Sequence, residues 1–111
     1  MTDNGEWVKI AEEAQLDQWD LIGAKVGDQY VAVYKVDGLL YATSGLCPHA
    51  FALLSDGFLE GYVVECPLHG YCFDVRTGRA QGSVATSDLE VFPVRRQGEH
   101  VEVQIKTKAT A

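Results

Sequence analysis

Apolar residues along this chain come in short runs, each cut off within a few positions by Gly, Asp or Pro. Trp7–Ile10 (WVKI), Gln29–Val36 (QYVAVYKV), Leu39–Ser44 (LLYATS), Tyr62–Glu65 (YVVE), Tyr71–Val75 (YCFDV), Leu89–Arg96 (LEVFPVRR) and His100–Lys106 (HVEVQIK) combine β-branched and aromatic residues. Runs of that length and content predict strands. Asp37-Gly38 joins the second run to the third, and Gln97-Gly98-Glu99 joins the last two; both are hairpin connections. Arg76-Thr77-Gly78 reads as a turn with its glycine at positive φ. Helical composition is confined to Ile10–Trp19 (IAEEAQLDQW), too short to define the architecture. Many short strands with regular turn signals predict an all-β fold, an antiparallel sandwich or barrel. Between Cys47 and Gly57 the alternation disappears, as it does in a loop that carries a site.

The length of 111 residues predicts one domain, residues 1–111. Hydrophobic residues make up 47% of it, enough for a core, although domains this small often add a metal or disulfide staple. The net charge of −7 argues against nucleic acid and against an anionic membrane surface, which need clustered Lys and Arg. It favours partners that present basic patches. No basic and apolar leader opens the sequence, and no run approaches the roughly 18 apolar residues of a membrane span. The expected location is the cytoplasm, where structural disulfides are rare. The odd count of three cysteines agrees with that.

Four of the six Cys and His residues stand in two tight pairs, Cys47-Pro48-His49 and Cys66-Pro67-Leu68-His69, with sixteen residues between them. Thiolate and imidazole suit zinc, copper and iron–sulfur centres, not calcium or magnesium. A closed tetrahedral zinc site is one reading. Zinc sites usually pair Cys with Cys and His with His, whereas each pair here is mixed. A mixed pair on each of two loops suits a two-metal centre, one metal taking both thiolates and the other both imidazoles.

The pattern C-x-H, sixteen residues, C-x₂-H resembles the Rieske [2Fe–2S] motif. The segments SDGFLEG, VECPLHG and FDVRTG are similar to those of the small Rieske ferredoxins that serve bacterial ring-hydroxylating oxygenases, and the resemblance runs from Trp7 to Ile105. It implies a Rieske-like antiparallel β-sandwich whose cluster-binding part, about residues 45–80, presents two loops at strand ends. It implies a [2Fe–2S] cluster with Cys47 and Cys66 on the inner iron and His49 and His69 on the outer one. Two ferric ions, two sulfides and two thiolates sum to zero, where four thiolates would leave a dianion; the neutral core is the easier to reduce. Rieske proteins of cytochrome bc complexes add a disulfide across the loops, and Ser and Tyr hydroxyls near the cluster. This chain has Ala52 and Leu68 at the first pair of places and Tyr71 and Phe73 at the second. Fewer donors imply a potential at the low end of the Rieske range, about −150 mV.

The resemblance further implies an electron carrier and not an enzyme. It would take single electrons from an NAD(P)H-dependent flavoprotein reductase and pass them to a terminal Rieske oxygenase. A small Rieske subunit of another redox enzyme, such as assimilatory nitrite reductase, is the alternative, and a zinc-stabilised β-module a more distant one. Phe51, Leu53, Leu54 and Leu68 are expected to shield the cluster, Cys72 to be a buried small hydrophobe, and His100 a solvated surface histidine. Val84 occupies the place of a proline that closes over the cluster in related proteins.

Overall fold

The computed structural model describes residues 5–48, 52–68, 70–82 and 87–105. Among the described residues, ten strands and one α-helix follow in the order β1 (Glu6–Glu12), α1 (Glu13–Trp19), β2 (Leu21–Val26), β3 (Gln29–Val36), β4 (Leu39–Ser44), β5 (Phe58–Glu60), β6 (Val63–Glu65), β7 (Cys72–Asp74), β8 (Ala80–Gln81), β9 (Val94–Gln97) and β10 (His100–Ile105). A 3₁₀ turn, Leu54–Asp56, precedes β5. The strands form three antiparallel sheets, ordered β1-β10-β9, β2-β3-β4 and β5-β6-β7-β8. The all-β antiparallel expectation holds.

The β3–β4 hairpin has the predicted bounds. Asp37 (φ 54) and Gly38 (φ 81) both take left-handed conformations, which the right-handed twist of a two-residue hairpin favours. Tyr34 pairs with Tyr41 and Val31 with Ser44 in the resulting register. Residues 31–34 of β3 are all buried because the strand is covered on both faces, Ala32 and Tyr34 in one core cluster and Val31 and Val33 in the other. The first cluster also holds Cys47, Leu54, Val64, Cys66, Phe73, Val75 and Leu89. The second joins Leu16 of α1 to Ala42, Phe92, Val101, Val103 and Ile105. Thus β3 is the wall between the basal core and the core beneath the cysteines.

Several elements differ from the expectation. The helix begins at Glu13 because Ile10–Glu12 belong to β1, which pairs with β10 as far as Glu12 and His100. Glu12 then closes a capping box with Gln15, its backbone N–H donating to the Gln15 side-chain oxygen at 2.8 Å. The strand β2 has no counterpart in the apolar pattern, since Gly23 and Ala24 are poor strand formers. Gly23 answers a tertiary demand: a Cβ there would lie 2.4 Å from the Ser55 hydroxyl, so only glycine lets the 3₁₀ turn pack on this strand. The run Leu89–Arg96 is not one strand. Its first part lies against β4, with Ser44 donating to Glu90 O (2.8 Å) and Phe92 donating to Ala42 O (3.0 Å). Beyond Pro93, which cannot donate, the chain changes sheet and runs along β10 as β9.

Glu13 fastens α1 to the sheets. Its carboxylate meets Lys35 of β3 at 2.8 Å and Arg96 of β9 at 2.8 Å, and Arg96 also donates to Gly38 O at 2.6 Å. The hydrogen bonds from Arg96 and then Lys35 hold the Glu13 carboxyl down, from the ordinary 4.5 to about 2. A depressed folded pKa contributes stability above pH 4.5 that is lost as pH falls toward 2. Glu13→Gln is therefore expected to flatten the acid limb of the stability profile across that window. Urea unfolding of both proteins at pH 7, 4 and 2.5 checks it, and parallel profiles would reject the clamp.

Candidate metal centre

The two cysteines stand at equivalent points of two similar loops. After β4 the chain passes Gly45 and Leu46 to Cys47, whose N–H donates to Ala52 O at 2.8 Å. A bridge between Leu46 and Leu53 and a bond from Leu54 N–H to Gly45 O (2.8 Å) close the base of this loop. After β6, Cys66 donates in the same way to Tyr71 O at 2.7 Å, and β7 follows at once. Each loop thus hangs from a bond between a cysteine N–H and the carbonyl five residues on, with a proline directly after the cysteine. Pro48 and Pro67 have no N–H to place, and they stiffen the turn.

Both thiols point inward. Cys47 is 0% and Cys66 1% exposed, in one cluster with Leu54, Val64 and Phe73. Neither forms a disulfide, and nor does Cys72. Burial pushes the Cys66 thiol up and Cys47 beside it pushes the same way, while the Leu68 backbone amide, bonded to the sulfur, pulls down. Two thiolates side by side in an apolar setting call for a cationic centre between them. Among the described residues no third His, Cys, Asp or Glu joins them.

His49, His69, Phe51 and Val84 lie outside the described residues. Of the expected apolar cover, Leu54 is buried, Leu53 half-buried and Leu68 about half exposed. Ala52 and Tyr71 pack against the cysteine cluster, and Phe73 is inside it. Cys72 is half-buried and not fully enclosed: it alternates with Phe73 on β7, so its side chain takes the outer face, where its thiol donates to Gly70 O at 3.5 Å. His100 is partly exposed and not simply solvated, because Nδ1 meets the Glu12 carboxylate at 3.1 Å. The apolar pattern does not point to Glu65, which flanks the second loop; the signal was its being the nearest charged residue to either cysteine.

Residues 6–93 match the Rieske [2Fe–2S] domain. The chain belongs to this family. It is 41% identical over 106 residues to the ferredoxin component of the naphthalene 1,2-dioxygenase/salicylate 5-hydroxylase systems of Ralstonia sp., covering 96% of this chain and 100% of the relative. With the naphthalene 1,2-dioxygenase ferredoxin component of Pseudomonas aeruginosa it shares 39% identity over 90% of this chain and 96% of the other. A ferredoxin solved in complex with the oxygenase of carbazole 1,9a-dioxygenase superposes with a TM-score of 0.82 at 35% identity, over 96% and 98% of the two chains. This Rieske protein is therefore an electron carrier with a [2Fe–2S] cluster and not a catalyst, and the nitrite reductase and zinc-module alternatives give way. The described donors fit that cofactor. They are two free, buried, soft thiols brought together from separate loops, with an apolar shell and an amide aimed at one sulfur. No helix among the described residues is long and apolar enough to cross a membrane.

Proposed function

We propose that Cys47, His49, Cys66 and His69 hold the [2Fe–2S] cluster, the thiolates on the inner iron and the imidazoles on the outer, within a single domain whose cluster-binding part is about residues 45–80. We propose further that the protein works in the cytoplasm, between an NAD(P)H-dependent flavoprotein reductase and a terminal Rieske oxygenase acting on an aromatic compound. The observation that carries the reading is the meeting of Cys47 and Cys66, fully buried, from two loops of a Rieske domain that each hang from a cysteine N–H bonded to the carbonyl five residues on. The names of the relatives, ferredoxin components of aromatic dioxygenase systems, support the choice of partners.

When bound, the cluster supplies a centre that accepts and releases one electron. The chain supplies its setting. Leu54, Val64 and Phe73 keep water from the cysteine side, and the Leu68 amide donates to Cys66. Leu68 itself, about half exposed between Cys66 and His69, offers an apolar contact at the mouth of the site. The net charge of −7 steers the protein to basic surfaces, so the KM for this ferredoxin in a reconstituted system rises with ionic strength.

The test is to purify the protein, record its visible and reduced-state EPR spectra, and combine it with such a reductase, an oxygenase and NAD(P)H. Rieske-type spectra and ferredoxin-dependent oxygen uptake are expected. A colourless zinc protein, or uptake that does not need the ferredoxin, would reject the reading. Phe73 offers no donor to a sulfur, so the midpoint potential is expected at about −150 mV, the low end of the Rieske range. A strongly positive midpoint in a redox titration would contradict the donor argument.

A further inference from the structure

Residues 45–54 and 66–73, which make up the two cysteine loops, contain no Asp, Glu, Lys or Arg. The charged residue nearest in sequence to Cys47 or Cys66 is Glu65, directly before Cys66 at the end of β6 and paired in register with Cys72 of β7. It is exposed, and its side chain turns back along the loop: Oε2 lies 3.5 Å from where a Cβ on Gly70 would sit. The carboxylate therefore flanks the stretch from Cys66 to Gly70. Among the described residues it takes part in no ion pair, whereas nearby Asp74 is neutralised by Arg76 at 2.9 Å.

From this placement we propose that the standing negative charge of Glu65 holds down the reduction potential of the cluster, making this ferredoxin a stronger donor. Adding one electron takes the core from neutral to −1, and a carboxylate beside the second loop opposes that step. The effect is that of a fixed charge and needs no titration. It rests on the ligand assignment above.

The test compares midpoint potentials of the cluster-loaded wild type with Glu65→Gln and Glu65→Lys, using Glu60→Gln as a control for net charge. Glu60 is exposed on β5, outside both loops. With Glu65→Gln, the one-electron equilibrium constant is expected to move about threefold toward the reduced form, a rise of about 30 mV at 59 mV per decade. Glu65→Lys should roughly double that, Glu60→Gln should move it much less, and all shifts should shrink at 1 M salt, where the Debye length is about 3 Å. An unchanged midpoint in a variant with the wild-type spectrum would overturn the proposal, as would equal shifts for Gln and Lys that ignore salt. Absence of a Rieske spectrum in the wild type would overturn the ligand assignment instead.

Discussion

Cys66→Ser is expected to yield a colourless protein that holds neither iron nor acid-labile sulfide and carries no electrons. A serine hydroxyl stays protonated near neutral pH and is a harder donor than thiolate, so it does not replace the sulfur on a ferric ion. The loss is structural as well. Cys47 hangs between β4 and β5, and Cys66 between β6 and β7, so a cluster held by both loops ties the two sheets together. Binding free energy at such a site is folding free energy, and the thermal midpoint should fall with the colour. The basal core, with Leu16, Phe92, Val101 and Val103, contains neither cysteine, so the far-ultraviolet signature of its strands should persist at low temperature. Cys72→Ser is the matched control. That side chain is half-buried on the outer face and its thiol donates to Gly70 O, a bond a hydroxyl keeps, so colour and iron should be retained. Iron and sulfide assays with visible spectra decide both cases. A red Cys66→Ser protein, or a colourless Cys72→Ser one, would mean the wrong sulfur has been assigned.

The features legible in the sequence are those written in local chemistry. Asp37-Gly38 demanded a tight hairpin, and the β-branched and aromatic content of Gln29–Val36 marked a strand. The spacing of Cys47, His49, Cys66 and His69 led to the Rieske family, which the match over residues 6–93 shows. The illegible features are set by contacts far along the chain. Leu21–Val26 is a strand because β3 offers it a full ladder, and Gly23, which weakens the local signal, is required by Ser55 from another part of the fold. The division of Leu89–Arg96 at Pro93 follows from the competition of β4 and β10 for its backbone, which no apolar pattern records. The short strands β5 and β8 are likewise too brief to stand out, and take their form from β6 and β7. Cys72 was expected inside because its neighbours are apolar, yet strand alternation gives the inner face to Phe73.

Phe73→Ala is the substitution expected to cost most stability without touching a ligand. The ring is 0% exposed, on β7 opposite Val64 and Ala80, in the cluster that holds both cysteines together with Tyr34 and Val75. Truncating a buried phenylalanine to alanine costs about 3–5 kcal/mol, because the transfer term and the cavity term add. Set against a total of about 5–15 kcal/mol for a domain, that is a large share. The expected result is a urea midpoint well below wild type, while Phe73→Leu recovers much of the loss by refilling part of the space. Trp19→Ala provides the contrast: its side chain is 65% exposed, and the change should stay within about 0.5 kcal/mol. The cavity also lies on the side of the sulfurs, where the apolar wall withholds water. Opening it to solvent favours the more negative, reduced state, so the midpoint potential of Phe73→Ala should rise as its stability falls. A variant that lost stability while keeping its potential would show that Phe73 fills the core but does not screen the cluster. One that kept both would show that Tyr71, Ala80 and Leu59, which pack around the same cluster, close the gap.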